Sequence, residues 1–128
     1  MNNKQAQTHL ARWASYLEEL EVELALDEFK KAIELHPELA DAYSLIGKTY
    51  SDMGLMEDSF SFHNKAIDID SNNNEFYKRR ADTYQKLGCI DSSIDDYKKS
   101  YTLHADDYES LFYLGMLYSQ KNELEQAF

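Results

Sequence analysis

A shift of 34 residues lays this chain on itself, and that self-similarity restricts its fold more than any other feature. Tyr16, Tyr50, Tyr84 and Tyr118 fall in one column, and Ala25, Ser59, Ser93 and Ala127 in another. Ala32, Ala66 and Ser100 form a third, and Leu20, Gly54, Gly88 and Asn122 a fourth. No gap is needed from Ala6 to Phe128. A period of roughly 20–50 residues means stacked units, each too small to bury its own apolar face. Within a period the apolar residues recur at helical spacing, as in Leu45, Ile46, Thr49 and Tyr50, and strand alternation is absent. The fold class is therefore all-α.

Each unit reads as two helices. In the second unit these cover Ala40 to Met53 and Glu57 to Asp70. Gly54 and Gly88 mark the joints, where the backbone needs a left-handed or open conformation. Asn122 is the next best residue for that role, and Leu20 is the exception. Glu57 and Asp91 open second helices, where a carboxylate complements the exposed amides. The chain divides into repeats at 6–39, 40–73 and 74–107 and a partial one at 108–128, within a single domain 1–128.

The stretch Asp68 to Glu75 alternates oxygen side chains like a calcium loop. It lacks the glycine and the bidentate acid such a loop needs, having Asn73 and Arg79 there. In register it is the junction between two units, so its Asn and Ser residues end one helix and cap the next.

Two columns 16 residues apart covary. They hold Arg12 and Glu28, then Ile46 and Phe62, then Arg80 and Asp96. The turn lies midway between them, so antiparallel helices bring them together. Arg12–Glu28 and Arg80–Asp96 are expected as partly buried ion pairs, with an apolar contact at Ile46–Phe62.

These columns resemble the tetratricopeptide repeat (TPR) family. The second unit carries the likeness best, through Tyr43, Ile46, Gly47, Tyr50, Gly54, Ser59, Ala66 and Ile69. The third follows through Tyr77, Ala81, Tyr84, Gly88, Tyr97 and Leu103, and the fourth through Leu114, Gly115, Tyr118 and Ala127. The first departs most, with Trp13 in place of a small residue and no glycine at its turn, although Ala25, Phe29, Ala32, Leu35 and Pro37 fit. The resemblance implies a right-handed superhelical solenoid of antiparallel helix pairs. It implies a non-catalytic scaffold that binds a peptide or extended partner segment in a concave groove lined by first helices.

On that geometry the groove face includes Gln7, Leu10, Ala14 and Leu17, then Asp41, Ser44, Lys48 and Ser51. It continues through Lys78, Arg79, Asp82 and Lys86 to Phe112, Tyr113 and Met116. The strongest candidates are Lys48, Lys78, Arg79, Asp82, Lys86, Phe112 and Tyr113. The four cations suggest an acidic or carboxylate-bearing peptide, although Glu75 and Glu109 lie close by. Some family members clamp the C-terminal carboxylate of heat-shock chaperones. Here the clamp positions hold Leu10, Ala14, Leu45, Glu75 and Arg79 in one register. In the other they hold Ser44, Lys48, Arg79, Glu109 and Tyr113, and neither set matches.

Composition narrows the classes further. The net charge of −11 disfavours nonspecific association with nucleic acid or anionic membrane. A lone Cys89, no long apolar run and a polar start favour a free thiol and a cytoplasmic setting. No histidine pair has zinc spacing, and no phosphate-binding fingerprint appears, so neither an enzyme nor a cofactor is expected. His63 takes a packing position, and His36 and His104 lie two periods apart. Paired acids such as Asp106 and Asp107 read as solubility and helix-end charges. The partial fourth unit should leave Leu111, Leu114, Leu117 and Phe128 without a packing partner, which favours a longer parent protein or self-association through that end. Two further readings are a targeting or regulatory region of a larger enzyme, and a chaperone for an exported or aggregation-prone client.

Overall fold

The structure is a computed structural model that describes residues 3–127, with side chains from Glu18 onward. Six helices follow one another: α1 (Asn3–Leu35), α2 (Ala40–Asp52), α3 (Met56–Ile69), α4 (Asn74–Leu87), α5 (Ile90–Leu103) and α6 (Tyr108–Ala127). Helices α2 and α3 form one antiparallel hairpin and α4 and α5 the next, stacked as an all-α solenoid.

The turns follow from residue type. Gly54 and Gly88 sit at φ +81° and +86°, conformations that L side chains rarely adopt. Gly88 closes α4 in the left-handed region and donates to the Gln85 carbonyl at 3.0 Å. Between hairpins the polar stretch behaves as a junction. The Asp70 carboxylate accepts from the Asn72 amide at 3.1 Å, and the Asn73 side chain caps α4 by accepting from the Glu75 amide at 3.1 Å.

Two contacts recur at the repeat spacing. The Ser59 hydroxyl donates to the Gly47 carbonyl at 2.6 Å, and Ser93 donates to the Ala81 carbonyl at 2.9 Å. Each joins the two helices of one hairpin through a buried hydroxyl. The Tyr43 hydroxyl donates to the Pro37 carbonyl at 3.1 Å, and Tyr77 donates to the Ser71 carbonyl at 3.0 Å. Each of these ties a first helix to the turn before it.

The first and last units differ from the expected pattern. Helix α1 runs 33 residues without a turn at Leu20, so the first repeat is not a hairpin. Glu18 to Leu26 are nearly all strong helix formers, and leucine strongly resists the positive φ that Gly54 and Gly88 adopt. Residues 16 apart on one helix are separated by about 24 Å. The hairpin contact between Arg12 and Glu28 is thereby lost. The Arg12 side chain lies outside the described residues, and exposed Glu28 instead accepts from Lys31 at 3.5 Å. Helix α6 likewise continues through Asn122, where a turn is expected from the register. Asparagine tolerates a left-handed turn less readily than glycine, and among the described residues no second helix packs back to favour one.

Leu114 and Leu117, expected to lack partners, are buried in a cluster with Ala81, Ile94 and Tyr97. Leu111 is exposed, and the side chain of Phe128 lies outside the described residues. Gly47 and Gly115 share a column but differ in use. A Cβ on Gly47 would come within 2.8 Å of His63 Nδ1, whereas one on Gly115 would meet nothing within 4 Å. Gly47→Ala is expected to destabilise the fold by about 1–3 kcal/mol through overpacking, read as a lower urea midpoint, whereas Gly115→Ala, exposed within α6, should stabilise it by about 0.5–1 kcal/mol through helix propensity.

Candidate functional site

Helices α2, α4 and α6 face a common cleft of about 360 Å³. Leu45 and Lys48 come from α2, Glu75, Lys78, Arg79 and Asp82 from α4, and Glu109 and Tyr113 from α6. Tyr97 of α5 reaches through to the floor and stacks on Tyr113, with ring centroids 5.2 Å apart. Burial first, then the nearby Asp82, raises the pKa of its phenol and keeps it neutral.

Lys48, Lys78, Arg79, Asp82 and Tyr113 are thus gathered into one cleft, while Lys86 and Phe112 are not. Lys86 is held by Asp52 at 2.8 Å and Asp82 at 3.2 Å, bridging the ends of α2 and α4. Phe112 is 65% exposed and belongs to a neighbouring shallow groove with Gln85 and Met116. Ser44 and Ser51 are buried and do not reach the surface as groove residues.

The floor is also less basic than a count of cations suggests. The Lys78 side chain is only 14% exposed and lies 3.7 Å from Glu75, 3.3 Å from Asp107 and 3.5 Å from Glu109. Burial alone would lower the pKa of its ammonium, but these carboxylates raise it above its ordinary value. Arg79 is different. Its guanidinium donates to the Ser44 hydroxyl at 2.9 Å and has no carboxylate partner among the described residues. Lys48 is exposed, with no ion pair among them either.

Asp107 has a larger part than a solubility charge. It is buried at the start of α6, accepts from the Ser110 amide at 3.1 Å and from the Ser100 hydroxyl at 2.7 Å, and also takes the Ser110 hydroxyl. Burial pushes its pKa up, but the Ser110 and Ser100 hydroxyls, the Ser110 amide and Lys78 together bring it down to about 2. Its sequence signal was the helix-start position, and its depth was not visible there.

Beside the cleft, Arg80 Nε and Nη2 donate to the two Asp96 carboxylate oxygens, each at 2.8 Å. Arg80 Nη1 donates to the Asn64 side-chain oxygen at 2.9 Å, and the guanidinium lies over the rings of Tyr77 and Tyr84. Ile46, one turn of the solenoid earlier in the same column, is fully buried. Phe62, in the column of Asp96, stacks on Tyr50 at 5.4 Å and Tyr43 at 6.4 Å.

Two family profiles match the sequence, a TPR repeat over residues 15–54 and a tetratricopeptide repeat over residues 40–73. Residues 15–73 carry tetratricopeptide repeats. Solved TPR domains share its fold. The first TPR of Spaghetti (RPAP3), bound to the HSP90 peptide SRMEEVD, superposes with a TM-score of 0.74 at 16% identity, over 95% of this chain and 97% of that one. The first TPR domain of human RPAP3 gives 0.77 at 16% identity, over 92% and 93%. The Arabidopsis OM64 TPR domain gives 0.73 at 17% identity, over 84% and 88%. No curated protein matches the sequence significantly. Repeats of this kind serve protein interaction, and among the described residues no helix is long and apolar enough to cross a membrane.

Proposed function

We propose that this chain is a non-catalytic scaffold that holds an extended segment of a partner protein in the cleft of α2, α4 and α6. Arg79 carries the reading. It is a half-buried guanidinium in the cleft wall, oriented by Ser44 and without a carboxylate of its own among the described residues. With Lys48 opposite, it offers charge-assisted hydrogen bonds to an acidic side chain of the partner, and Tyr113 offers an aromatic face. The solved domain with an HSP90 peptide supports a peptide ligand in kind. The chaperone-clamp positions of this chain do not carry the clamp residues, so a different ligand is expected.

A selection from a random twelve-residue display library tests this. Peptides captured by the wild type should lose binding to Lys48→Glu/Arg79→Glu, with a folded circular dichroism spectrum retained. Captured peptides that bind both chains equally would place the ligand elsewhere. One observation favours a second reading, a holder of apolar clients: Phe112 and Met116 are 65% and 48% exposed on α6. It predicts captured peptides that are apolar and lose binding to Phe112→Ser instead.

A further inference from the structure

Along α4 the cleft lining runs from acidic at Glu75 to basic at Arg79. Beside Lys78 stand Glu75, Glu109 and Asp107, three carboxylates around one ammonium, which leaves that end two charges negative. Asp107 is buried and held by serine groups. Glu75 and Glu109 are instead 50% and 61% exposed at the side chain and look into the cleft. The other end holds Lys48 and Arg79, with Asp82 already engaged by Lys86. A uniformly acidic ligand therefore gains at Arg79 and is repelled at Glu75 and Glu109.

We infer that the partner segment is charge-alternating, with an acidic residue on Lys48 and Arg79 and a basic residue on Glu75 and Glu109. This rests on the cleft being the binding site. The geometry also sets the spacing. Glu75 and Arg79 are one turn apart on α4, about 6 Å along its axis. In an extended segment, side chains on one face recur at about 6.6 Å, every second residue. An acid and a base separated by one residue match that interval when the segment runs along α4. The Tyr97 and Tyr113 rings line the cleft between these charges. Neutralising both ends at once is what separates this ligand from a purely acidic one, because like charges brought together suppress the wrong partner.

The same twelve-residue library, selected on the wild type, should enrich Asp or Glu and Lys or Arg two positions apart. A synthetic peptide of that pattern should bind about tenfold more tightly than its counterpart with both positions acidic. Selected on Glu109→Lys, the library should lose the basic position and keep the acidic one. Glu109 is exposed, so the variant's folding is readily checked by circular dichroism. Wild-type binders that are uniformly acidic, with an unchanged pattern on Glu109→Lys, would overturn the inference and leave the cleft as the site. Binders indifferent to both Glu109→Lys and Lys48→Glu/Arg79→Glu would overturn the cleft reading as well.

Discussion

Asp96→Ala is expected to lower stability by about 3–5 kcal/mol, the usual range for removing one partner of a buried ion pair. Asp96 is 5% exposed and accepts two guanidinium hydrogen bonds from Arg80, whose own side chain is 20% exposed. The hydrogen bonds that Arg80 donates to Asp96 are the main reason its pKa is raised, with burial opposing them. Truncation leaves a guanidinium between Tyr77 and Tyr84 with only Asn64 to satisfy it. Urea unfolding monitored by circular dichroism reads the change, and Arg80→Met/Asp96→Leu should recover most of it because both charges leave together. A loss below about 1 kcal/mol for Asp96→Ala would mean that Arg80 is satisfied by Asn64 and solvent, and that the pair acts as a surface bridge.

Acidification should remove roughly 3 kcal/mol between pH 6.5 and 4 through one residue, His63. The ring is fully buried, its Nε2 lies 2.9 Å from the Thr83 hydroxyl, and Nδ1 faces Gly47 with no hydrogen-bond partner among the described residues. The Thr83 hydroxyl donates to the Arg79 carbonyl at 3.2 Å. With its proton on that carbonyl, Thr83 accepts from His63 when the ring proton is on Nε2, the tautomer that leaves Nδ1 bare. Burial first, then Arg80, Arg79 and Lys86, lowers its pKa from 6.5 to about 4. The unfolded chain thus binds a proton in this window that the folded one does not. Stability is full above pH 6.5 and falls as pH drops toward 4. The slope should disappear in His63→Gln. Asp107 acts in a separate, lower window: its pKa falls from 3.8 to about 2, so its contribution is lost only below pH 3.8. A stability profile that is flat from pH 6.5 to 4 in the wild type would contradict the neutral, buried ring.

The central hairpins were legible because their signals are local and chemically exclusive. Only glycine is free at the φ of Gly54 and Gly88, so the turns could be read directly. Leu20 and Asn122 occupy the same column, yet both positions are helical. Periodicity tells which faces are able to pair, and closing a turn depends on whether packing outweighs the helix propensity of the joint. The site was legible as a set of positions, since helical register places Lys48, Arg79 and Tyr113 on one surface. It was less legible as an electrostatic environment. Lys78 meets acids from α4 and α6, and Lys86 meets Asp52, its own column neighbour one period earlier. Opposite charges in one column of successive repeats were the available sign that Lys86 is internally paired. Nothing local marked Tyr97, which reaches the cleft from a second helix.

The serine hydroxyls that join the two helices of each hairpin have a further consequence. Ser59 and Ser93 share their column with Ala25 and Ala127, which have no hydroxyl to offer. The latch exists only in residues 40–103. Those residues form a cassette whose amides should exchange with solvent last, after those of α1 and α6, where the same column holds alanine. A second cassette grafted after the first would carry its own latches, so the array can lengthen without changing the residues already in place.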